Sequence, residues 1–325
     1  MKYEILYREL IIQLRNRISQ NSKLVEKLTE ILPLAKMAVY RRLRQEVPFT
    51  FEEITVIAKE LNISLDNMLR IDSGTTLPLR IQSIGEKSAI EIDYSMLEEY
   101  LQAIKDVASD PNGEISLVTN LLPQFLYAGF NSIYRFYHFK WQYYSLPVDQ
   151  IQHYNEILFP DRLFQIVKHI FINLTNIKTR YYIIGNQAFQ NFVNDVVYFN
   201  NIRLIRDEDV LLIKGELLQF LDYMEDIATK GFVDVPSNMV YIYISDTSID
   251  TSYCYIDSQY SFRIALIWSF IFNTALTFED EALKMVKHWI RSKIRTSTLL
   301  SVTDEKQRTL YFENQRKIVE ELCMK

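Results

Sequence analysis

The chain has 325 residues, 48% of them hydrophobic and 24% charged, a length that suits two or three domains better than a single small one. Only 7 glycines occur, which argues against folds built on Gly-rich phosphate loops and against a nucleotide-binding enzyme. Net charge is −5 but uneven: residues 1–72 carry 12 basic and 10 acidic side chains, and the remainder 24 and 31, so a mildly basic head precedes an acidic body.

In chain order, the head reads as five short helices. Leu6, Leu10, Leu14 and Ile18 recur every fourth residue and give the segment Tyr3 to Ile18 one apolar face. Ser22 is the expected N-cap of a second helix carrying Leu24, Val25, Leu28 and Leu32, and Pro33 interrupts it. A third helix runs from Lys36 to about Arg44. Thr50 and Glu53 form the S/T-x-x-E capping box of a fourth, closed by Asn62, and Ser64 caps a fifth from Leu65 to Leu69.

Asp72-Ser-Gly-Thr-Thr-Leu-Pro78 is turn-rich, so residues 73–92 read as a linker. In the body, helices are expected at Tyr94 to Val107, Pro123 to about Tyr144, Asp161 to Ile172 and Asp207 to Ala228, the last stopped by Gly231. Glu114 to Val118 reads as a strand. Val240 to Ile244 and Tyr253 to Ile256 read as two more, joined by a polar turn at Asp246 to Asp250, and Ser261 to Phe272 continues that sheet. Thr277 is expected to cap a helix whose acidic start and basic end suit the helix dipole, and Thr303 to start a final helix. No element is read between Ile172 and Asp207. The fold expected is therefore multidomain: an all-α head over 1–72 and a larger α+β domain over 93–325 with a small antiparallel sheet.

The third helix carries the chemistry. At 100° per residue Val39 and Leu43 fall together and face the core, Arg41 points nearly opposite, Met37 and Arg44 lie beside it, and Tyr40 sits on the flank. Guanidinium groups outside an apolar edge suit the DNA major groove, where arginine offers paired donors to guanine or a charge to phosphate. Lys36 and Met37 occupy the N-terminal end, where recognition helices meet base edges. The DNA-contacting set is thus Lys36, Met37, Tyr40, Arg41, Arg42 and Arg44.

Those residues, with Leu24-Val25, Leu28, the Pro48-Phe-Thr-Phe-Glu-Glu-Ile54 stretch and Ile57-Ala-Lys-Glu-Leu-Asn-Ile-Ser-Leu-Asp66, make residues 22–69 resemble the lambda-repressor and Cro-like helix-turn-helix family, closest to its BetR-type regulators. One departure is that Thr29 to Pro33 adds about a helical turn with no glycine where the family has a tight Gly-bearing turn. The resemblance implies a transcriptional regulator that binds double-stranded DNA as a homodimer, its C-terminal domain sensing a small-molecule or protein effector or making the dimer. The alternative is that the helical head binds a protein instead of DNA.

Candidates for catalysis are weak. Asp207-Glu-Asp209 sits where a helix start favours carboxylates, and Asp246, Asp250 and Asp257 are turn and edge residues. His138, His153, His169 and His288 have no partners at ligand spacing, and Cys254 on an apolar strand reads as a buried small hydrophobe. In the run Tyr134 to Tyr144, the residues Tyr137, Trp141 and Tyr144 form a stripe, joined by Ile133, suited to core or dimer packing. Two distant cysteines support neither a disulfide framework nor structural zinc. No apolar run approaches the roughly 20 residues of a membrane span, and Met1-Lys-Tyr-Glu4 lacks an apolar leader. The expectation is a cytoplasmic protein, not an enzyme, with no cofactor, metal or membrane partner.

Overall fold

In the computed structural model the chain divides into two compact units, Met1–Pro78 and Leu79–Lys325. The structure describes residues 2–18, 20–61, 63, 65, 80–82, 89–127, 129–157, 160–258, 264–269, 272–277 and 280–322. Of the expected helix from Leu65 to Leu69 only Leu65 is described; Ser64 and residues 66–69 lie outside the described residues.

Among the described residues, the first unit contains α1 (Lys2–Arg17), α2 (Asn21–Ile31), α3 (Lys36–Leu43) and α4 (Phe51–Glu60). Their apolar stripes meet in one core through Leu10 and Leu14, Leu24 and Leu28, Val39 and Leu43, and Ile57. Helix α2 begins one residue before Ser22, with Gln20 at its N-cap and no side-chain cap bond. It ends by a local device. Pro33 disfavours helical backbone at Leu32, which is extended (φ −116°, ψ 141°), so no glycine is needed to stop it.

The second unit is a mixed α/β structure. Its sheet comprises β1 (Arg80–Gln82), β2 (Glu114–Thr119), β3 (Thr179–Gly185), β4 (Met239–Ser245), β5 (Ser252–Asp257), β6 (Ile264–Ser269), β7 (Phe272–Thr277) and β8 (Ser297–Leu299), in the order β1-β7-β6-β5-β2-β3-β4-β8. Strands β2, β3 and β4 run parallel, with Leu117 opposite Tyr182 and Tyr182 opposite Ile242, while every other pairing is antiparallel. This corrects the small antiparallel sheet. Strands β4 and β5 are not neighbours but stand apart with β2 and β3 between them, because β2–β3 and β3–β4 are joined through helices, as parallel pairs require. The stretch 73–92 is likewise not all linker, since Arg80–Gln82 pairs with β7 and a helix starts at Ala89.

The sheet faces differ. Ile115, Leu117, Tyr182, Ile184, Val240, Ile242 and Cys254 join the main core. That core also holds buried residues of α5 (Ala89–Ala108), α7 (Asn131–Ser145), α8 (Asp161–Thr175), α9 (Ala188–Asn201), α10 (Asp207–Lys230) and α12 (Glu305–Glu320), and Leu126 and Tyr127 of the short α6 (Gln124–Tyr127). The alternate residues Val118, Ile183 and Tyr255 pack on Leu283 and Ile290 of α11 (Asp280–Ile294).

The long helix expected from Pro123 is split into α6 and α7. Phe130 turns extended before α7, and the Glu216 carboxylate of α10 accepts from the Ser132 and Ile133 amides at 2.6 and 3.2 Å, a cap supplied from another helix. The packed stripe of α7 is Ile133, Phe136 and Phe139, with Phe136 edge-on to Phe192 at 4.8 Å, whereas Tyr144 is exposed. Tyr137 stacks on Tyr127. Thr277 belongs to β7 rather than to a cap. Asp304, not Thr303, caps α12 by accepting from the Gln307 amide at 3.1 Å. No described helix is long and apolar enough to cross a membrane.

Candidate nucleic-acid interface

Helix α3 is held to its unit by Val39 and Leu43, both buried, one turn apart on its inner edge. The four-residue turn from Leu32 to Ala35 joins it to α2, with the Leu34 amide donating to Leu32 O at 2.7 Å. Ala35 stands at the N-cap and makes no side-chain cap bond, and no acidic residue occupies the first turn. Helix α4 in the same unit has Glu52 and Glu53 there, and α10 has Asp207, Glu208 and Asp209. In α3 the first helical residue is Lys36 instead. A cation at that end opposes the helix dipole, so this terminus is built against the usual stabilising pattern.

The C-terminus of α3 closes in a Schellman turn. Glu46 N donates to Arg41 O and Gln45 N to Arg42 O, each at 2.9 Å, and Gln45 takes the left-handed conformation (φ 63°) that glycine normally supplies. We expect Gln45→Gly to raise the unit's stability by about 0.5–1 kcal/mol. A melting temperature unchanged or lowered in a thermal scan would contradict this account of the turn.

The same turn brings Glu46 back beside the arginines, 3.5 Å from Arg41 Nε and 3.2 Å from Arg44 Nε. Both guanidinium side chains remain 58–59% exposed, so these contacts are surface ion pairs worth less than about 1 kcal/mol each. Met37 and Lys36 are exposed as well, and Tyr40 is half-buried against the unit's core. Lys36, Met37, Arg41 and Arg44 are thus available on the outer side, with Tyr40 at the margin.

Arg42 is a correction. Its side chain is only 14% exposed and clamps Glu53 through two bonds, Nε to Oε2 at 2.9 Å and Nη2 to Oε1 at 2.8 Å. Its guanidinium also lies 5.9 Å from the Phe49 ring centroid. Glu53 does two jobs at once. Its Oε2 accepts the Thr50 amide at 2.9 Å while Thr50 Oγ1 accepts the Glu53 amide at 3.2 Å, the expected capping box. Arg42 therefore fixes α3 against the start of α4 and is not offered to a ligand.

Tyr7 of α1 completes this joint, and sequence reasoning missed it. Its hydroxyl lies 3.1 Å from Arg42 O and 3.3 Å from Val47 O as a donor, and accepts the Phe49 amide at 3.1 Å. Burial pushes its phenol above the ordinary range, with the Phe49 amide and Arg42 pulling against that shift, so the group keeps its proton. The only sequence signal was that Tyr7 lies between the apolar positions Leu6 and Leu10.

The other candidates behave as ordinary structure. Cys254 is fully buried, and burial pushes its thiol well above the usual range, the opposite of an activated nucleophile. Burial pulls His138 down to about 4, which keeps it neutral. Among the described residues, no group of three or more His, Cys, Asp or Glu is placed to hold a metal ion. In comparisons with known protein families, curated proteins and solved structures, nothing matches the chain.

Proposed function

We propose that this protein is a sequence-specific DNA-binding transcriptional regulator of the cytoplasm, in which α2 and α3 form a helix-turn-helix and α3 enters the major groove. Lys36 and Met37 lead into the groove, Arg41 and Arg44 supply paired donors to base edges or charge to phosphate, and Tyr40 bonds backbone at the flank. Arg42 serves the interface indirectly, by helping to keep the unit folded through its pair with Glu53. The unit from 79 to 325 senses an effector or makes a homodimer, which would place two α3 helices on half-sites about 34–36 Å apart.

One observation carries this reading: α3 presents Lys36 at an N-terminus with no side-chain cap and no first-turn carboxylate, on the same short helix as the two exposed guanidinium groups of Arg41 and Arg44. That arrangement costs stability in isolation and is relieved by a phosphate, whose charge the helix end and Lys36 both attract. The two exposed guanidinium groups lie on the side away from Val39.

Glu46 gives a direct test. Its carboxylate competes with DNA for Arg41 and Arg44 and would face phosphates of like charge. Glu46→Gln is expected to tighten duplex binding by about threefold to tenfold at low salt, read by fluorescence anisotropy. Weaker binding in the variant would place the C-terminal end of α3 away from the duplex.

A further inference from the structure

Arg180 stands in β3, the middle strand of the parallel trio, on the same face as Tyr182 and Ile184 and therefore toward the helix-covered core. It is 1% exposed and, among the described residues, is the bulkiest fully buried side chain. Its Nε and Nη2 and the hydroxyls of Tyr182 and Tyr223 make no hydrogen bond of ordinary geometry, although the Tyr182 hydroxyl is near enough to Arg180 for the guanidinium to pull on its phenol. Tyr223 comes from α10, with the rings of Phe130 and Phe171 at 5.9 and 6.1 Å. Among the described residues no carboxylate pairs with Arg180. Asp226 and Asp234, which act on Tyr223, are exposed, and Asp226 is bonded to Lys230.

A guanidinium cannot shed its proton, and a buried charge without a partner is among the most costly things a core can contain. Here the unpaired atoms are not scattered. Nε and Nη2 form one edge of the guanidinium, the fork that takes both oxygens of a carboxylate. Burial raises both phenols, that of Tyr182 to about 12 with Arg180 pulling against the shift, so both stay protonated and remain donors.

We propose that the second unit binds a small monocarboxylate with an apolar body, its two oxygens held by Arg180 and the hydroxyls of Tyr182 and Tyr223. One formal positive charge calls for one negative charge, and a phosphate dianion would leave its second charge buried and unmatched. The aromatic rings beside Tyr223 supply the contact for the apolar body. Tyr223, only partly buried, is the member nearest to solvent. The inference stands apart from the DNA reading, and its test contains no DNA.

The full chain is melted in a carboxylate-free buffer with benzoate or acetate titrated in, and with phosphate and chloride at matched ionic strength. The wild type is expected to show a melting temperature that climbs with benzoate concentration. Tyr223→Phe should need about tenfold more benzoate for the same rise, as loss of one charge-assisted hydrogen bond implies. Arg180→Met should show none. Should Arg180→Met fail to fold, the Tyr223→Phe titration decides alone. Absence of a benzoate or acetate response in the wild type, an equal response to phosphate or chloride, or a Tyr223→Phe titration matching the wild type would each overturn the proposal.

Discussion

Glu53→Ala is expected to destabilise the first unit by about 3 kcal/mol, more than any other single exchange at the α3–α4 joint. Two losses add. The capping box disappears from α4, which costs about 1 kcal/mol. Arg42 is then left largely buried, stacked near Phe49 with no counter-charge, and leaving one partner of a buried pair unmatched costs a few kcal/mol. The pair retains some access to water, so the full buried-pair penalty does not apply. Chemical denaturation of the wild type and variant measures the difference. Adding Arg42→Met to Glu53→Ala should recover part of the loss, because the uncompensated charge is gone. A change under about 0.5 kcal/mol in Glu53→Ala would show that the joint does not hold α3 in place.

The second large effect separates reading from holding. Arg41→Ala/Arg44→Ala is expected to weaken specific duplex binding by roughly 10²- to 10⁴-fold, since each bidentate arginine–base contact contributes about 1–3 kcal/mol. Stability should stay within about 0.5 kcal/mol of the wild type, because both side chains are exposed and their pairing to Glu46 is a surface contact. Arg42→Ala should show the reverse signature, a lower melting temperature with DNA affinity recovering once the folded fraction is taken into account. Adjacent arginines on one helix thus carry opposite expectations. Melting curves and anisotropy titrations on the same preparations distinguish them.

Much of the first unit was legible in the sequence because its signals are local. The apolar positions of α2 and α3, the Thr50–Glu53 box and the Pro33 stop each act within one helical turn. What escaped was tertiary. At 100° per residue Arg42 lies about 60° from Val39, the margin of the buried stripe rather than the outer face. Its partner is eleven residues away across a loop. Nothing local distinguishes it from Arg41.

The body was legible at α10, whose stripe and Gly231 stop both act along one helix, and Gly231 takes a left-handed φ of 79°. It was illegible at β3 and α9. Strand β3 is covered on both faces, so its side chains show no polar–apolar alternation, and it opens with Thr179 and Arg180, which look like loop residues. Missing the middle strand of the parallel trio left only a small antiparallel sheet to be expected where the described residues form a mixed one. The polar segment from Asp246 to Asp250 imitates a hairpin turn, yet Lys293 of α11 holds it through Thr247 Oγ1 at 3.1 Å and Ser248 O at 2.7 Å. There it leads to β5, which pairs with β2 and β6 and not with β4.

The most direct test is a salt titration of duplex binding, using genomic fragments enriched by the wild-type protein, for the wild type and for Arg41→Ala/Arg44→Ala. Wild-type affinity should fall linearly on a log–log plot against salt. The double variant should bind far more weakly, with a slope shallower by about 1 for each of the two residues that touches phosphate. Equal binding by both proteins, or wild-type binding that ignores salt, would contradict an outer face of α3 that reads DNA.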